Sequence, residues 1–304
     1  MFPSASTNIY AHLPLREALD HMATTGFRHV EMGSPHFHEV REKGGEADLP
    51  KGHPSIVSIH GDPPPDMPLI APEFAGCFEA FYKPVFAFAQ KMGAELFVLH
   101  LGGGAKRPWD QVRDVAAQNC RRLVDFAAPF GVKLALENEW HGGGFPRTPA
   151  QFHEMVRLVD RPNFGVTLDI KHSQTSREPD SMPEDFIRSH GKNLLNCHFT
   201  ELEYPYFSII ELGDWGIPGT GQDRLPRLIA SLKDCRYAGP VTAELNQRYV
   251  RSVLEIVVKV LKSAGTNVGD MEKILAGHPS LEDRILTYTF SFLRDSIGGR
   301  SPVI

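Results

Sequence analysis

Six apolar runs of this chain each close on a residue able to ligate a metal, at a nearly regular interval. SIVSIHG closes on His60, ELFVLHLGGG on His100, VKLALENE on Glu137, FGVTLDIKH on Asp169, NLLNCHFTELE on His198 and GPVTAELN on Glu244. Successive closures lie 40, 37, 32, 29 and 46 residues apart. Short runs rich in Val, Leu and Ile that stop at polar residues are the pattern of buried parallel strands. The intervals leave room for a crossover helix in each unit, as parallel strands require.

Two earlier runs extend the series. Residues 5–11 are expected to form a first strand, and FRHVEMG a second, ending near Glu31. Helices are expected over Pro14–Thr25, Glu73–Met92, Trp109–Phe130, from Thr148-Pro149 to near Arg161, up to Gly191, and over Asp223–Cys235 and Val250–Ala264. Pro149 after Thr148 is a helix start, because proline is tolerated at the first helical position. Residues 34–54 are polar, with a Gly-Gly pair and three prolines, and read as a loop with a short helix at most. Eight strand-helix units in about 250 residues fit an α/β (β/α)8 TIM barrel. The rival is an open doubly wound sheet. The barrel is preferred because its C-terminal strand ends all meet at one mouth, whereas the edges of an open sheet stand too far apart to share an ion. Residues 1–264 are assigned to the barrel, and 265–304 to a C-terminal helical extension packed on it, whose helix, about Leu281–Ser296, is placed as an appendage on the outside of the barrel.

A divalent ion needs its ligand atoms within about 2.0–2.6 Å of one point. Glu137, Asp169, His198 and Glu244 are the first candidates for such a set. A carboxylate ending one strand is commonly a helix cap, but four ligand-type residues at equivalent places in successive units point to one shared ion. Three carboxylates and one imidazole form a hard donor set suited to one Mn2+, Mg2+ or Co2+ ion; Zn2+ gains only if His60 and His100 join. Trp140, Tyr204, Tyr206, Phe207 and Trp215 offer loop faces on which a sugar or cyclic polyol could stack.

The formal net charge is -5 and the chain has no Lys/Arg run, which argues against a nucleic-acid partner held by phosphate contacts. No apolar run approaches the length of a membrane span. The N-terminus lacks the cationic start and apolar core of a signal peptide. The four cysteines, Cys77, Cys120, Cys197 and Cys235, form no C-x-x-C pair and read as reduced thiols, so a cytoplasmic protein is expected.

The pieces LHLGGG (99–104), LALEN (134–138), LDIKH (168–172), NCHFTE (196–201) and PGTGQDRLPRLIASLKDCRYAGPVTAEL (218–245) give the chain a resemblance to the xylose isomerase-like TIM barrel superfamily, the sugar-phosphate isomerase/epimerase group. The resemblance spans about residues 8–262. It implies that Glu137, Asp169, His198 and Glu244 hold one divalent metal, often manganese, and that Glu137 and Glu244 are the catalytic acid/base pair. It also implies that His172 touches substrate; His60, His100, Trp140 and Glu201 join it as substrate-binding candidates. Two features depart from the ketose 3-epimerases of the group: Gly142-Gly143-Gly144 follows His141 where those enzymes carry a second glutamate, and no Arg occurs between His198 and Arg224. Apurinic-site endonucleases of the superfamily carry Asp-x-His after strand seven; here Asp214-Trp215-Gly216 stands at that place.

The expected activity is therefore isomerisation or epimerisation of a small sugar, polyol or keto acid by proton abstraction next to a carbonyl, through an enediolate. Loss of a β-hydroxyl from the same intermediate, making the enzyme a lyase or dehydratase, is the alternative. The partner is a small molecule, and the C-terminal tail is the feature through which a homo-oligomer would form.

Overall fold

The computed structural model describes residues 1–46, 49, 51–64, 66–103, 107–140, 144–176, 178–200, 224–245, 259, 262–263, 265, 269 and 281–299. Eight strands run parallel and close into a barrel: β1 (Phe2–Ser6), β2 (His29–Met32), β3 (Ser55–Gly61), β4 (Leu96–Leu99), β5 (Lys133–Glu137), β6 (Phe164–Asp169), β7 (Leu194–Phe199) and β8 (Pro240–Ala243). They follow chain order around the ring, and β8 pairs with β1. The described helices are α1 (Leu15–Thr24), α2 (Ser34–Glu42), α3 (Phe78–Met92), α4 (Trp109–Ala127), α5 (Pro149–Val159), α6 (Ile170–Thr175), α7 (Pro183–His190), α8 (Arg224–Asp234) and α9 (Leu281–Gly298). This is the (β/α)8 architecture that the strand spacing predicts.

Local chemistry accounts for the helix starts. Thr148 and Gln151 form a reciprocal capping box at the head of α5, with Pro149 in its first turn. Gly33 precedes α2, which buries Phe37 and Val40 where the polar composition predicts a loop. Two apolar anchors in nine residues are a weak periodic signal, yet enough once the barrel wall supplies the partner surface.

Two elements depart from the sequence-based expectation. Strand β1 starts at Phe2 and overlaps the expected 5–11 only at Ala5 and Ser6, and a 3-10 turn, Thr7–Tyr10, follows it, with the Ser6 hydroxyl accepting from the Asn8 N–H at 3.3 Å. That turn carries Asn8 to the barrel mouth. The helix expected from Glu73 begins as a separate turn, Pro72–Gly76, before α3. The C-terminal helix α9 packs on the outside of the strands, on β1 between α1 and α8, and so takes a place in the outer ring of helices. Leu286 and Leu293 are fully buried, Phe290 meets Phe27 edge-on at 5.2 Å, and Lys233 Nζ donates to the Ser296 carbonyl at 3.2 Å. The Tyr10 hydroxyl donates to Asp283, whose carboxylate also lies 3.1 Å from His21 Nδ1. The helix expected over 250–264 falls mostly outside the described residues.

The registers sort the inward side chains into tiers. Alternate residues of a strand share a face, and in a barrel of shear 8 each tier of four comes from alternate strands. Following the pairings around the ring places Glu31, Val98, Thr167 and Thr242 in a lower tier. Ser6, His60, Glu137 and His198 form the next. Gly33, His100, Asp169 and Glu244, at or just past the ends of the even strands, form the uppermost.

Candidate metal centre

The two upper tiers bring together the four residues proposed as ligands. One ligand atom from each of Glu137, Asp169, His198 and Glu244 can be chosen so that all lie within 4.8 Å of one another, and all four residues are buried. His198 Nδ1 stands 3.1 Å from Glu137 Oε1, 3.1 Å from Glu244 Oε2 and 3.9 Å from Asp169 Oδ2. The His198–Glu137 contact meets hydrogen-bond geometry, and the set of separations is also one that ligands of a single ion could take.

His60 and His100 converge on the same place. Their Nε2 atoms lie 3.4 and 3.5 Å from Glu137 Oε2, and the three residues form a second group of ligand type. His60 Nδ1 also lies 3.4 Å from Glu244 Oε1. His172 begins the turn after β6, and its Nδ1–H donates to the Asn138 carbonyl at 2.9 Å, leaving Nε2 for a ligand. Trp140 is 44% exposed, with its ring 5.2 Å from that of His172, so it offers a face at the rim. Glu201, and with it Tyr204, Tyr206, Phe207 and Trp215, lies outside the described residues.

The structure adds residues that the sequence did not single out. Glu139 is 5% exposed, with Oε1 3.2 Å from His100 Nδ1. Asn8 Nδ2 donates to Glu244 Oε1 at 3.1 Å. It occupies the space that a side chain on Gly33 would need, since a Cβ there would meet Asn8 Oδ1 at 2.0 Å. Asn138 donates to the Asp169 carbonyl at 2.9 Å and accepts from the Asp169 N–H at 2.7 Å, locking the ends of β5 and β6 together. Glu31 is fully buried beneath His198. Glu139 had a local signal, two residues past a ligand-type strand end. Asn8 and Glu31 reach the site only through barrel closure.

The electrostatics are those of a densely charged, dry site. Burial would push Glu137 up, but the imidazoles of His198, His100 and His60 hold it down to about 2. Burial would push His100 down, but Glu139 and Glu137 raise it to about 10. His198 and His60 are likewise raised against the effect of burial, chiefly by Glu137, with help from Glu31 and Glu244. Asp169 behaves differently: burial raises it, and repulsion from Glu137 and Glu244 adds to that. Buried polar groups are normally hydrogen-bonded. Here Glu137 Oε2, Asp169 Oδ2, His60 Nδ1 and His100 Nδ1 take no directed hydrogen bond. Unpartnered carboxylate oxygens and ring nitrogens from different strands, gathered around one volume, fit a divalent cation once the imidazoles shed their protons.

A family model described as "Xylose isomerase-like TIM barrel" matches residues 19–264, and the chain belongs to that family. Among curated proteins, the inosose isomerase of Bacillus licheniformis is 26% identical over 160 residues, covering 52% of this chain and 56% of that protein. The chain thus spans only about half the length of such relatives. Among solved structures, a D-psicose 3-epimerase crystallised in the presence of D-fructose superposes with TM-score 0.70 at 18% identity, covering 98% of this chain and 100% of that one. The IolI protein with a bound zinc atom superposes with TM-score 0.69 at 17% identity, covering each chain fully.

Proposed function

We propose that the protein is a divalent-metal-dependent isomerase or epimerase of a small sugar, polyol or keto acid. The observation that carries this reading is the convergence of Glu137, Asp169, His198 and Glu244 on one volume, with buried oxygens left unpaired. The inosose isomerase relatives favour a cyclic polyol ketone or a ketose as substrate. Glu137, Asp169, His198 and Glu244 would hold the ion, with Mn2+ the preferred occupant. The adjoining His60 and His100 make Zn2+ the main rival. When bound, the ion supplies Lewis acidity to a substrate carbonyl and the hydroxyl beside it.

The chain's own groups do the rest. Glu137 ends β5 and Glu244 follows β8, three strands around the ring, so their carboxylates face the substrate from different sides. One takes the proton from the carbon next to the carbonyl, giving an enediolate; the other returns a proton on the opposite face or to the neighbouring carbon. Asn8 holds Glu244 Oε1, leaving Oε2 turned toward His198. His172, with Nδ1–H committed to Asn138, presents Nε2 to a substrate hydroxyl. Trp140 supplies a stacking face at the rim.

The test is a panel of ketoses and inososes incubated in D2O with Mn2+ and followed by NMR. Deuterium uptake at the carbon beside the carbonyl, with a new epimer or isomer, is expected. EDTA should abolish the reaction, and Mn2+ or Co2+ should restore it. A chelator-resistant activity would overturn the reading. Release of water with an unsaturated product would assign the dehydratase chemistry instead. Because ligating imidazoles must shed protons, and His198 holds its proton above the ordinary range, metal affinity should tighten as pH rises from 6 to 8.

A further inference from the structure

Below the proposed ion site, Glu31 is a buried carboxylate that the scheme above does not use. It is 0% exposed and lies on β2, whose uppermost position is Gly33 where the other even strands carry His100, Asp169 and Glu244. Four groups surround its carboxylate, the most distant being His60, whose Nδ1 lies 3.9 Å from Oε1. Ser58 Oγ donates to Oε2 at 2.9 Å, and Asn196 Nδ2 donates to the same oxygen at 2.9 Å. His198 Nε2 lies 3.2 Å from Oε2 and 3.1 Å from Oε1.

Asn196 is itself held. Its Oδ1 accepts from the Cys197 N–H at 2.9 Å and from Thr242 Oγ1 at 3.2 Å, which fixes the amide with Nδ2 toward Glu31 and also 3.1 Å from His198 Nε2, where it would donate to a lone pair if Nε2 carried no hydrogen. Glu31 is therefore pinned from β3 and β7 by two neutral donors. Its nearest remaining neighbour is the lower nitrogen of the imidazole whose upper nitrogen faces Glu137 and Glu244. A lone pair on Nε2 would oppose a carboxylate at 3.1 Å; an N–H there would donate to it.

We propose that Glu31 is a positioning residue. It accepts the Nε2–H of His198, fixing the ring's orientation and tautomer so that the Nδ1 lone pair is presented to the ion between Glu137, Asp169 and Glu244. This rests on the metal-site reading above and adds to it a residue that touches neither ion nor substrate. Such outer partners of a ligating histidine raise its basicity, and their loss costs 10- to 100-fold in metal affinity. One other arrangement competes. Glu31, His60, His198 and Glu244 also form a group of ligand type, and Glu31 Oε1 takes no directed hydrogen bond. In that case Glu31 would be a ligand and His198 would bind through Nε2.

Two measurements on the full chain decide it. The first is calorimetric titration of the metal-stripped protein with Mn2+ alone. Glu31→Gln should weaken binding about tenfold and Glu31→Leu by up to about 100-fold, while circular dichroism shows the folded barrel. Unchanged affinity in both folded variants overturns the proposal. If the unmodified chain itself fails to bind Mn2+, or if Asp169→Asn and Glu244→Gln bind as well as it does, the metal-site reading fails, and this inference with it. The second needs no variant, so it stands even if Glu31 substitutions do not fold. Long-range proton–nitrogen NMR of the Zn2+-loaded chain should show His198 with Nε2 protonated and Nδ1 ligating. Ligation through Nε2 overturns the proposal and assigns Glu31 to the ion instead.

Discussion

Neighbouring residues of β3 and β4 line two different interiors. On the outer face, Phe97 meets Phe86 at 5.2 Å, Tyr82 at 5.5 Å and Phe37 at 6.0 Å, all fully buried. On the inner face, on the adjacent strand and one position beyond the residue that pairs with Phe97, His60 stands among Glu31, Glu137 and Glu244. Both regions exclude water, but only the outer one satisfies what it buries. Aromatic edges meet aromatic faces there with no polar atom left over. In the inner region, carboxylates and imidazoles confront each other with lone pairs unfilled. The outer wall supplies stability; the inner face draws on it to hold a charged constellation that a free chain would never gather.

The sharpest way to break this comparison is to remove one group from each side. Glu244→Gln should leave the barrel folded and lower turnover on the true substrate by roughly 10²- to 10⁴-fold. Near-normal kinetics would remove Glu244 from the chemistry. Phe86→Ala should do the reverse, destabilising the protein by about 3–5 kcal/mol while metal affinity in the folded fraction holds. Chemical unfolding with parallel Mn2+ titration checks both halves of that statement.

The charged region should also write its signature into pH dependence. In the metal-free chain His100 is raised from 6.5 to about 10, so its stabilising share is complete below pH 6.5 and lost as pH climbs through about 10. Glu137 is lowered from 4.5 to about 2, so its share is complete above pH 4.5 and lost as pH falls through about 2. Melting in EDTA should therefore show these two contributions together only between about pH 4.5 and 6.5. His100→Gln should erase much of the alkaline loss. The smallest effect is expected at Gly33. Gly33→Ala would displace Asn8 and with it the hydrogen bond to Glu244, lowering turnover about tenfold, the worth of one charge-assisted hydrogen bond. A rate unchanged by that methyl would show that Asn8 contributes nothing to Glu244's position.

Much of this was legible in one dimension. A parallel strand of a closed barrel must be apolar along its length and can be polar where it meets the mouth, so His60, His100, Glu137, Asp169, His198 and Glu244 announced the strands and a candidate site at their ends. The family match over residues 19–264 has the same source. Helix α2 was hard to read because its two buried anchors lie in a polar segment. The course of the C-terminal helix was hidden because amphipathicity says that a helix docks, not where. Its seat on β1 depends on contacts with Tyr10, His21 and Phe27, more than 250 residues away.

The sequence by itself determined which residues end the strands, because hydrophobic periodicity is a local property of the chain. Only the tertiary structure decided which of them stand above, beside or beneath one another. Barrel closure and strand stagger put Glu31 under His198 and Asn8 beside Glu244, and neither follows from spacing along the chain. Tier and register are set by backbone pairing around the whole ring, so every strand must be in place before any one carboxylate acquires its role.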